Sequence, residues 1–444
     1  MRRASRTVCY LLLLIAVIVF NQACGGYGGR PRATTASAVP PAAPLPSDEE
    51  LVAGTIRFLE ARVRDDPLDF IAYNKLCGYY LQRLRETGSV QYLELAQRAA
   101  QASLKAIPAE QNPGGLAART RAEFNAHDFA TARADARQLT MLEPNKGSSF
   151  ELLGDALLEL GDYAAAELAF ARLERINGVQ SLSATLRRAR IALLHGQLAE
   201  ARGSYQIALA LALEPVPPER ETVAWCRWQL GEVAFAESNY AEAERQYRDA
   251  LTTFPDYYRA VAGLARARAA QGDLPGAIAL YEQVTKRLPD PTFVAALGDL
   301  YKLAGREREA QAQYTLVEQI ARLSALNGQL YNRQLALFYA DHDLKPDDAY
   351  ALATREYEAR RDIYGADAVA WTALKAGKLA EAQAASKEAL KLGTRDAKLF
   401  YHAGLIARAA GDQTTAHDYL TRALALNPQF DPLQVTFAQH ALAE

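Results

Sequence analysis

The 444-residue sequence holds only two methionines and three tryptophans, and it has no surplus of positive charge. Its 50 basic and 52 acidic side chains give a formal net charge of −2. Proteins that bind nucleic acids usually carry a strong basic excess or a basic stripe, because they must neutralise phosphates. We therefore expect no nucleic-acid partner.

The sequence also lacks a recognisable catalytic motif. It contains no nucleophile elbow, no phosphate-binding glycine loop and no zinc-protease motif. The six histidines are scattered, and we expect His127, His195 and His342 in solvated turns, with His402 and His417 on the surface. The sequence therefore predicts neither an enzyme nor a site for a metal or cofactor.

Cysteine is scarce as well. Cys9 and Cys24 lie in or beside the N-terminal leader, whereas Cys77 and Cys226 fall in different repeats of the pattern described below. In an extended stack of repeats these two thiols would be too far apart for a disulfide. We expect both to be buried free thiols that pack as small apolar side chains.

The first 24 residues have the pattern of a secretory signal. Three arginines precede the apolar run Val8–Phe20, which is followed by small residues around Cys24. The run is shorter than the roughly 20 apolar residues of a membrane-spanning helix. Residues 25–47 are rich in proline, glycine and alanine and predict a flexible tether.

Ala23-Cys24-Gly25 resembles the end of a bacterial lipoprotein signal, although Asn21 stands where that signal usually has an aliphatic residue. The resemblance implies lipidation of Cys24 and attachment to a membrane of the bacterial cell envelope, at the membrane surface or in the periplasm. Two alternatives remain open, namely ordinary cleavage with release and retention of the leader as an uncleaved anchor.

Most of the remaining sequence repeats with a period of 34 residues. Gly377 recurs as Gly411, and Pro255 recurs as Pro289. A fixed period in this range is typical of a stacked-repeat solenoid, in which each unit covers the apolar face of its neighbour. The period predicts one elongated array that binds other molecules.

The clearest repeat, residues 224–257, resembles the tetratricopeptide repeat family. It has a small residue after leucine in its first helix, spaced alanines and aromatics in its second helix, and a terminal proline: Leu230, Gly231, Ala234, Tyr240, Ala243, Tyr247, Ala250 and Pro255. Further units match at several positions, such as Gly154 with Phe170, and Gly298 with Tyr314. The resemblance covers most of residues 70–430.

This resemblance implies an all-α, right-handed superhelical solenoid of about ten helical hairpins with a C-terminal capping helix. We expect an N-terminal sub-array over residues 48–215 and a C-terminal one over residues 222–429. The proline-rich segment 216–221 would separate them, and residues 430–444 would form the cap.

In this family, positions two, five, nine and twelve of the first helix face the concave groove. Carried onto this sequence, these positions predict a partner-binding groove that contains Trp225, Trp228, Glu232, Phe235, Arg259, Arg266, Asp299, Lys302 and Trp371. Tryptophan beside arginine is a composition typical of binding hot spots.

The resemblance therefore implies a non-catalytic scaffold that holds a peptide or a helix of a partner protein. The alternative is an accessory subunit of an envelope polysaccharide or secretion machine that contacts glycan directly, since aromatic side chains in a groove also suit sugar rings.

Overall fold

Short polar side chains mark the points where many helices of this chain begin. The computed structural model describes residues 41–44, 47–326 and 332–443. In it, the carboxylate of Asp69 accepts a hydrogen bond from the backbone N–H of Ala72 at 2.9 Å. Asn239 accepts one from the N–H of Glu242 at 3.2 Å. Each such cap satisfies an N–H group that the helix itself leaves unpaired.

The described residues form 22 helices and contain no strand. The helices are α1 (Glu49–Asp65), α2 (Phe70–Thr87), α3 (Gln91–Ala106), α4 (Pro113–Asn125), α5 (Phe129–Leu142), α6 (Gly147–Glu159), α7 (Tyr163–Asn177), α8 (Leu182–Leu194), α9 (Leu198–Ala212), α10 (Arg220–Ala236), α11 (Tyr240–Thr253), α12 (Tyr258–Ala270), α13 (Leu274–Arg287), α14 (Pro291–Leu303), α15 (Glu307–Leu326), α16 (Asn332–Asp341), α17 (Pro346–Ala359), α18 (Ile363–Lys375), α19 (Leu379–Ala389), α20 (Ala397–Ala409), α21 (Gln413–Leu426) and α22 (Gln434–Ala443).

Helices α2 to α21 pair in chain order into ten antiparallel hairpins, which we number units 1 (α2–α3) to 10 (α20–α21). Each unit packs on the next, and α1 and α22 lie before the first unit and after the last. The predicted all-α superhelical solenoid of about ten hairpins with a C-terminal capping helix is confirmed.

In several units the crossing of the two helices requires a residue without a side chain. In unit 5 the ring of Tyr247 lies so close to Gly231 that a Cβ atom there would be 2.4 Å from it. Phe170 covers Gly154 in the same way, at 2.3 Å, and Tyr314 covers Gly298 at 2.5 Å. This explains the recurrence of glycine in the first helix and of an aromatic in the second.

Both ends of the array are covered. Helix α1 buries Leu59 in the apolar cluster of unit 1, and the hydroxyl of Tyr80 donates a hydrogen bond to Glu60 at 2.7 Å. At the other end the hydroxyl of Tyr401 donates to Gln434 of α22 at 2.8 Å. Terminal repeats of a solenoid need such cover, since their apolar faces otherwise meet water.

The proline-rich segment does not interrupt the packing of the array. One apolar cluster contains Tyr205 and Leu209 of α9 together with Val223 and Cys226 of α10. Helix α10 begins at Arg220, so it includes the last two residues of the expected break. The division into two sub-arrays stays a prediction.

Successive turns of the superhelix touch along a line that we call the inter-turn seam. The backbone N–H of Ile363 donates to the hydroxyl of Tyr163, 200 residues earlier, at 2.8 Å. The hydroxyl of Thr394 donates to the carbonyl of Leu194, also 200 residues earlier. These hydrogen bonds join units 3 and 4, on one turn, to units 9 and 10, on the next. The extended stack expected from the sequence did not include this contact.

The seam satisfies groups that helices leave unpaired at their ends. Ile363 is the first residue of α18, and Leu194 is the last residue of α8. Neither group has a partner inside its own helix. Apolar side chains reinforce the seam, since Ile363 and Leu399 lie in one cluster with Leu158 and Tyr163. An ion pair between Glu159 and Arg360 adds to it.

The predicted buried thiols are confirmed. Cys77 and Cys226 are free and fully buried, and burial raises the pKa of each thiol to about 12. The predicted signal 1–24 with Cys24, and the tether from residue 25 to 40, lie outside the described residues. No helix in the described ranges has the length and apolar content to cross a bilayer.

Glycines in the turns of the units give a direct test of the seam. Gly161 and Gly377 have φ angles of 73° and 71°, a conformation that destabilises an alanine at either position by about 1 kcal/mol. A Cβ atom at Gly161 would lie 2.2 Å from the carbonyl oxygen of Arg361 across the seam, whereas at Gly377 nothing lies within 4 Å. Gly161→Ala should therefore destabilise the protein by about 1–3 kcal/mol more than the matched control Gly377→Ala.

Chemical denaturation of the two variants measures this difference. Equal losses of stability would mean that the turns of the superhelix do not touch in solution.

Candidate functional site

The first helices of units 5 to 8 enclose a cavity of about 380 Å³ on the concave side of the superhelix. Its wall is completed by Lys398 of α20 and by residues 429–432, which follow α21. The side chains that carry aromatic or charged groups into the cavity are Trp228, Glu232, Arg259, Arg266, Tyr281, Phe293, Asp299, Phe338, Asp341, His342, Lys398, Phe430 and Asp431.

Arg266 and Glu232 form an ion pair between neighbouring units. The guanidinium donates to the Glu232 carboxylate at 2.7 Å and to the Tyr247 hydroxyl at 3.2 Å, and it lies 4.2 Å from the centre of the Phe235 ring. Burial lowers the pKa of Arg266, but the charge of Glu232 outweighs it, so the pKa is raised. Its Nε is buried without a hydrogen-bond partner among the described residues.

Arg259 is the cation of this wall that forms no ion pair with another described residue. Its guanidinium carbon lies 5.3 Å from the centre of the Trp228 ring and 5.2 Å from that of Tyr258. Within the described ranges, no carboxylate lies at ion-pair distance from it. Burial lowers the pKa of Arg259, but Tyr258, Tyr257 and the more distant carboxylates Glu221 and Asp290 outweigh this effect and raise the pKa. An arginine held by two aromatic rings keeps its N–H donors available for an incoming acceptor.

Asp299 and His342 form a second polar contact on the wall. The Nε2 of His342 lies 2.7 Å from the Asp299 carboxylate, which also accepts from the Tyr314 hydroxyl at 2.9 Å. Burial lowers the pKa of His342, but the hydrogen bond and charge of Asp299 and the Phe338 carbonyl outweigh this effect, so the pKa is raised. His342 is thus a buried partner of Asp299, which corrects the expectation of a solvated turn residue.

Lys398 joins unit 10 to unit 8 and to the segment that follows α21. Its ammonium group lies 3.0 Å from Asp341 of α16 and 3.3 Å from Asp431. Burial lowers the pKa of Lys398, but these two carboxylates outweigh it and raise the pKa. The side chains therefore hold the segment that follows α21 against the cavity wall.

The structure brings five of the predicted groove residues together on the cavity wall, namely Trp228, Glu232, Arg259, Arg266 and Asp299. Three others lie outside it. Trp225 is half-buried beside Tyr205, with the ring centres 6.0 Å apart, and Phe235 is buried beneath Arg266. Lys302, in the last turn of α14, is exposed to solvent.

Trp371 lies in the core, which corrects the expectation of an exposed groove tryptophan. Its side chain is 0% exposed, its indole N–H donates to Asp341 at 2.8 Å, and its ring stacks on His402 at 4.4 Å. His402 is also fully buried, with Nδ1 2.9 Å from Asp367, so it is not a surface residue. Both residues pack between units 8, 9 and 10, and Phe400 and Tyr401 lie in the same apolar cluster as Trp371.

The sequence could have identified one of the missed residues. Phe293 lies 34 residues after Arg259, so it occupies the same groove position in the next unit. The residues of α16 could not be placed in this way, because α15 has 20 residues where α13 has 14, and the period is lost. Gln429–Pro432 lie beyond the last repeat.

The described residues contain no group of three His, Cys, Asp or Glu side chains that could hold a metal ion. The wall instead combines aromatic surface, paired charges and one arginine without an anionic partner. Such a surface can bind a flexible ligand that supplies apolar groups and a carboxylate.

Three family models of the tetratricopeptide repeat match this chain. One matches residues 234–300, another matches residues 180–256, and the third matches residues 118–181 and 369–429. The matches include the helices α10 and α12 of the cavity wall and α14 as far as residue 300.

A crystal structure of a tetratricopeptide repeat protein from Parabacteroides merdae ATCC 43184 is similar to 60% of this chain and 98% of that one. The two sequences are 17% identical over this alignment, and the TM-score is 0.34. No curated protein matches the chain.

The histidines predict a distinct titration pattern. His342 should titrate above the ordinary value of about 6.5, and Asp299→Asn should return it towards that value. Burial and the neighbouring Arg360 and Arg333 lower the pKa of His127 to about 4. Because the folded state holds the His342 proton more tightly, this contact stabilises the protein fully below about pH 6.5, and the contribution is lost as the pH rises through the folded pKa.

NMR titration of the imidazole resonances measures both values. A His342 pKa at or below 6.5 would contradict the contact with Asp299.

Proposed function

Since this chain belongs to the tetratricopeptide repeat family, whose members generally mediate protein–protein interactions, we propose that it is a non-catalytic scaffold. In this proposal a polypeptide segment of a partner protein lies in the cavity of units 5 to 8. The aromatic rings of Trp228, Phe293 and Phe430 bind its apolar side chains, and Arg259 binds a carboxylate.

The observation that carries the proposal is the unpaired state of Arg259. The other charged groups of the wall, such as Arg266, Asp299 and Lys398, have an ionic partner within 3.0 Å. A cation without an ionic partner at an apolar surface interacts most strongly with a ligand carboxylate, because the site is already shielded from water.

The size of the cavity favours an extended segment. A volume of about 380 Å³ lies at the lower end of the range for ligand pockets. An α-helix with its side chains is about 10–12 Å wide and would not fit without a wider opening of the wall. A few residues of extended chain fit the space as it is.

Export and lipid attachment are part of the same proposal. The basic residues before the run Val8–Phe20 and the position of Cys24 support a lipoprotein signal, and the following proline- and glycine-rich segment would tether the scaffold to a membrane of the cell envelope. In that location the scaffold would bind its partner at the membrane surface.

A photo-activatable amino acid in place of Phe293 should form a covalent adduct with a polypeptide in intact cells. The same amino acid at Leu168, which is 72% exposed on α7 and away from the cavity, is the matched control. Adding Arg259→Gln should lower the yield of the Phe293 adduct at least fivefold, since the ligand carboxylate loses its partner. Mass spectrometry of the adducts is the measurement.

Two results would contradict the proposal. An adduct yield at Phe293 no higher than at Leu168 would remove the cavity as a binding site. Adducts that contain glycan instead of a polypeptide would favour the accessory subunit that contacts polysaccharide.

Cys24→Ser tests the lipid anchor. We expect the intact chain to incorporate radiolabelled fatty acid and the variant to incorporate none, because Cys24 carries the acyl groups. Cys9→Ser should retain the label and serves as the control. Label that persists in Cys24→Ser would contradict the lipoprotein proposal. The remaining alternatives would be cleavage of the leader with release of the protein, or an uncleaved leader as the anchor.

A further inference from the structure

Two parts of the cavity wall that are far apart in the sequence contact each other. Helix α10 of unit 5 forms one end, and residues 429–432 after unit 10 form the other. Along the chain these ends are about 200 residues apart, and the inter-turn seam brings them together. Units 5 to 10 therefore form a ring round the cavity.

Asn427 makes the contact that joins the two ends. Its Nδ2 donates to the backbone carbonyl of Phe235 at 2.9 Å, and its Oδ1 accepts from the Tyr240 hydroxyl at 2.6 Å. Beside it, the hydroxyl of Ser238 donates to the carbonyl of Leu426 at 2.6 Å. Asn427 is only 3% exposed, so these hydrogen bonds are shielded from water.

This end of the seam lacks the apolar packing found elsewhere. Between units 3 and 4 and units 9 and 10, Ile363 and Leu399 share a cluster with Tyr163. In the described part of the chain, no apolar cluster contains residues from both sides of the Asn427 contact. A gap of about 460 Å³ lies next to it, bordered by Leu198, Glu237, Arg395, Phe400, Arg422, Ala425 and Leu426.

Neighbouring units round the ring are held together by buried apolar clusters. One such cluster joins units 6 and 7 through Val261, Tyr281 and Leu297. Separating two adjacent units exposes such a cluster to water, whereas the contacts between units 5 and 10 at Asn427 are polar. The ring is therefore weakest at Asn427.

We propose that Asn427 is a latch, at which the ring of units 5 to 10 opens to admit a polypeptide segment and closes round it. The identity of the ligand as a polypeptide rests on the proposed function. The opening of the latch does not depend on a ligand. Opening here lets a segment enter from the side, so the partner needs no free chain end.

Spin labels on either side of the latch test its opening without a ligand. Ala241→Cys and Thr436→Cys place labels at exposed positions of α11 and α22 in the full chain with Cys9 and Cys24 changed to serine. The buried Cys77 and Cys226 stay unlabelled, because burial keeps their thiols protonated. Pulsed electron resonance gives the distribution of distances between the two labels.

Asn427→Ala is compared with Asn112→Ala, which removes an equally buried loop asparagine far from the cavity. Asn112 is 2% exposed, donates to Ser103 at 2.8 Å and accepts from Asn74 at 2.9 Å, all within neighbouring helices. We expect Asn427→Ala to add a second population at longer distance, while Asn112→Ala keeps the narrow distribution of the unmodified latch. A distribution in Asn427→Ala as narrow as in the control would overturn the latch.

The photo-adduct at Phe293 gives the second readout. We expect Asn427→Ala to lower its yield at least fivefold relative to Asn112→Ala, because an open ring does not retain the segment. An unchanged yield with a broadened distance distribution would overturn the role of the latch in holding a ligand and leave the proposed function intact. If the parent chain gives no adduct, the proposed function fails, and the distance distribution alone decides whether the ring opens.

Discussion

The contact between a glycine on the first helix of a unit and an aromatic ring on the second determines the shape of this protein. Because Tyr247 rests on the bare backbone of Gly231, the two helices of unit 5 cross closely and at a fixed angle. Units 3 and 7 make the same contact at Gly154 and Gly298, and the stacking of ten units produces a superhelix. Its pitch is small enough for one turn to touch the next, which encloses the cavity.

The pairing of charged side chains on the cavity wall follows from the same geometry. First helices of adjacent units lie side by side, so side chains about one period apart meet, as Glu232 and Arg266 do at 2.7 Å. Asp155 and Arg187 repeat this arrangement in units 3 and 4, at 2.6 Å. The wall is thus largely neutralised by its own ion pairs, which fix its shape. Arg259 falls outside this pattern, and it faces a ligand-sized space with an aromatic ring on each side.

The sequence predicted the parts of the fold that repeat. The spacing of Gly377 and Gly411 gave the period. The resemblance to the tetratricopeptide repeat family then gave the number of units and the groove positions, which placed Arg259 and Arg266 on one wall. It could not predict the seam, because contacts such as Tyr163 with Ile363 depend on the pitch that many units produce together. Trp371 was misplaced because units 8 and 10 cover its groove position, where its indole N–H donates to Asp341 and its ring stacks on His402. The segment that closes the cavity follows the last repeat and has no periodic counterpart.

The account depends on the turns of the superhelix being in contact in solution. A double-mutant cycle on Glu159 and Arg360, which form an ion pair across the seam, measures that contact most directly. If the turns touch, the stability losses of Glu159→Gln and Arg360→Gln are not additive, and the coupling energy is at least about 0.5 kcal/mol. Losses that add within about 0.3 kcal/mol would show separated turns and contradict the enclosed cavity.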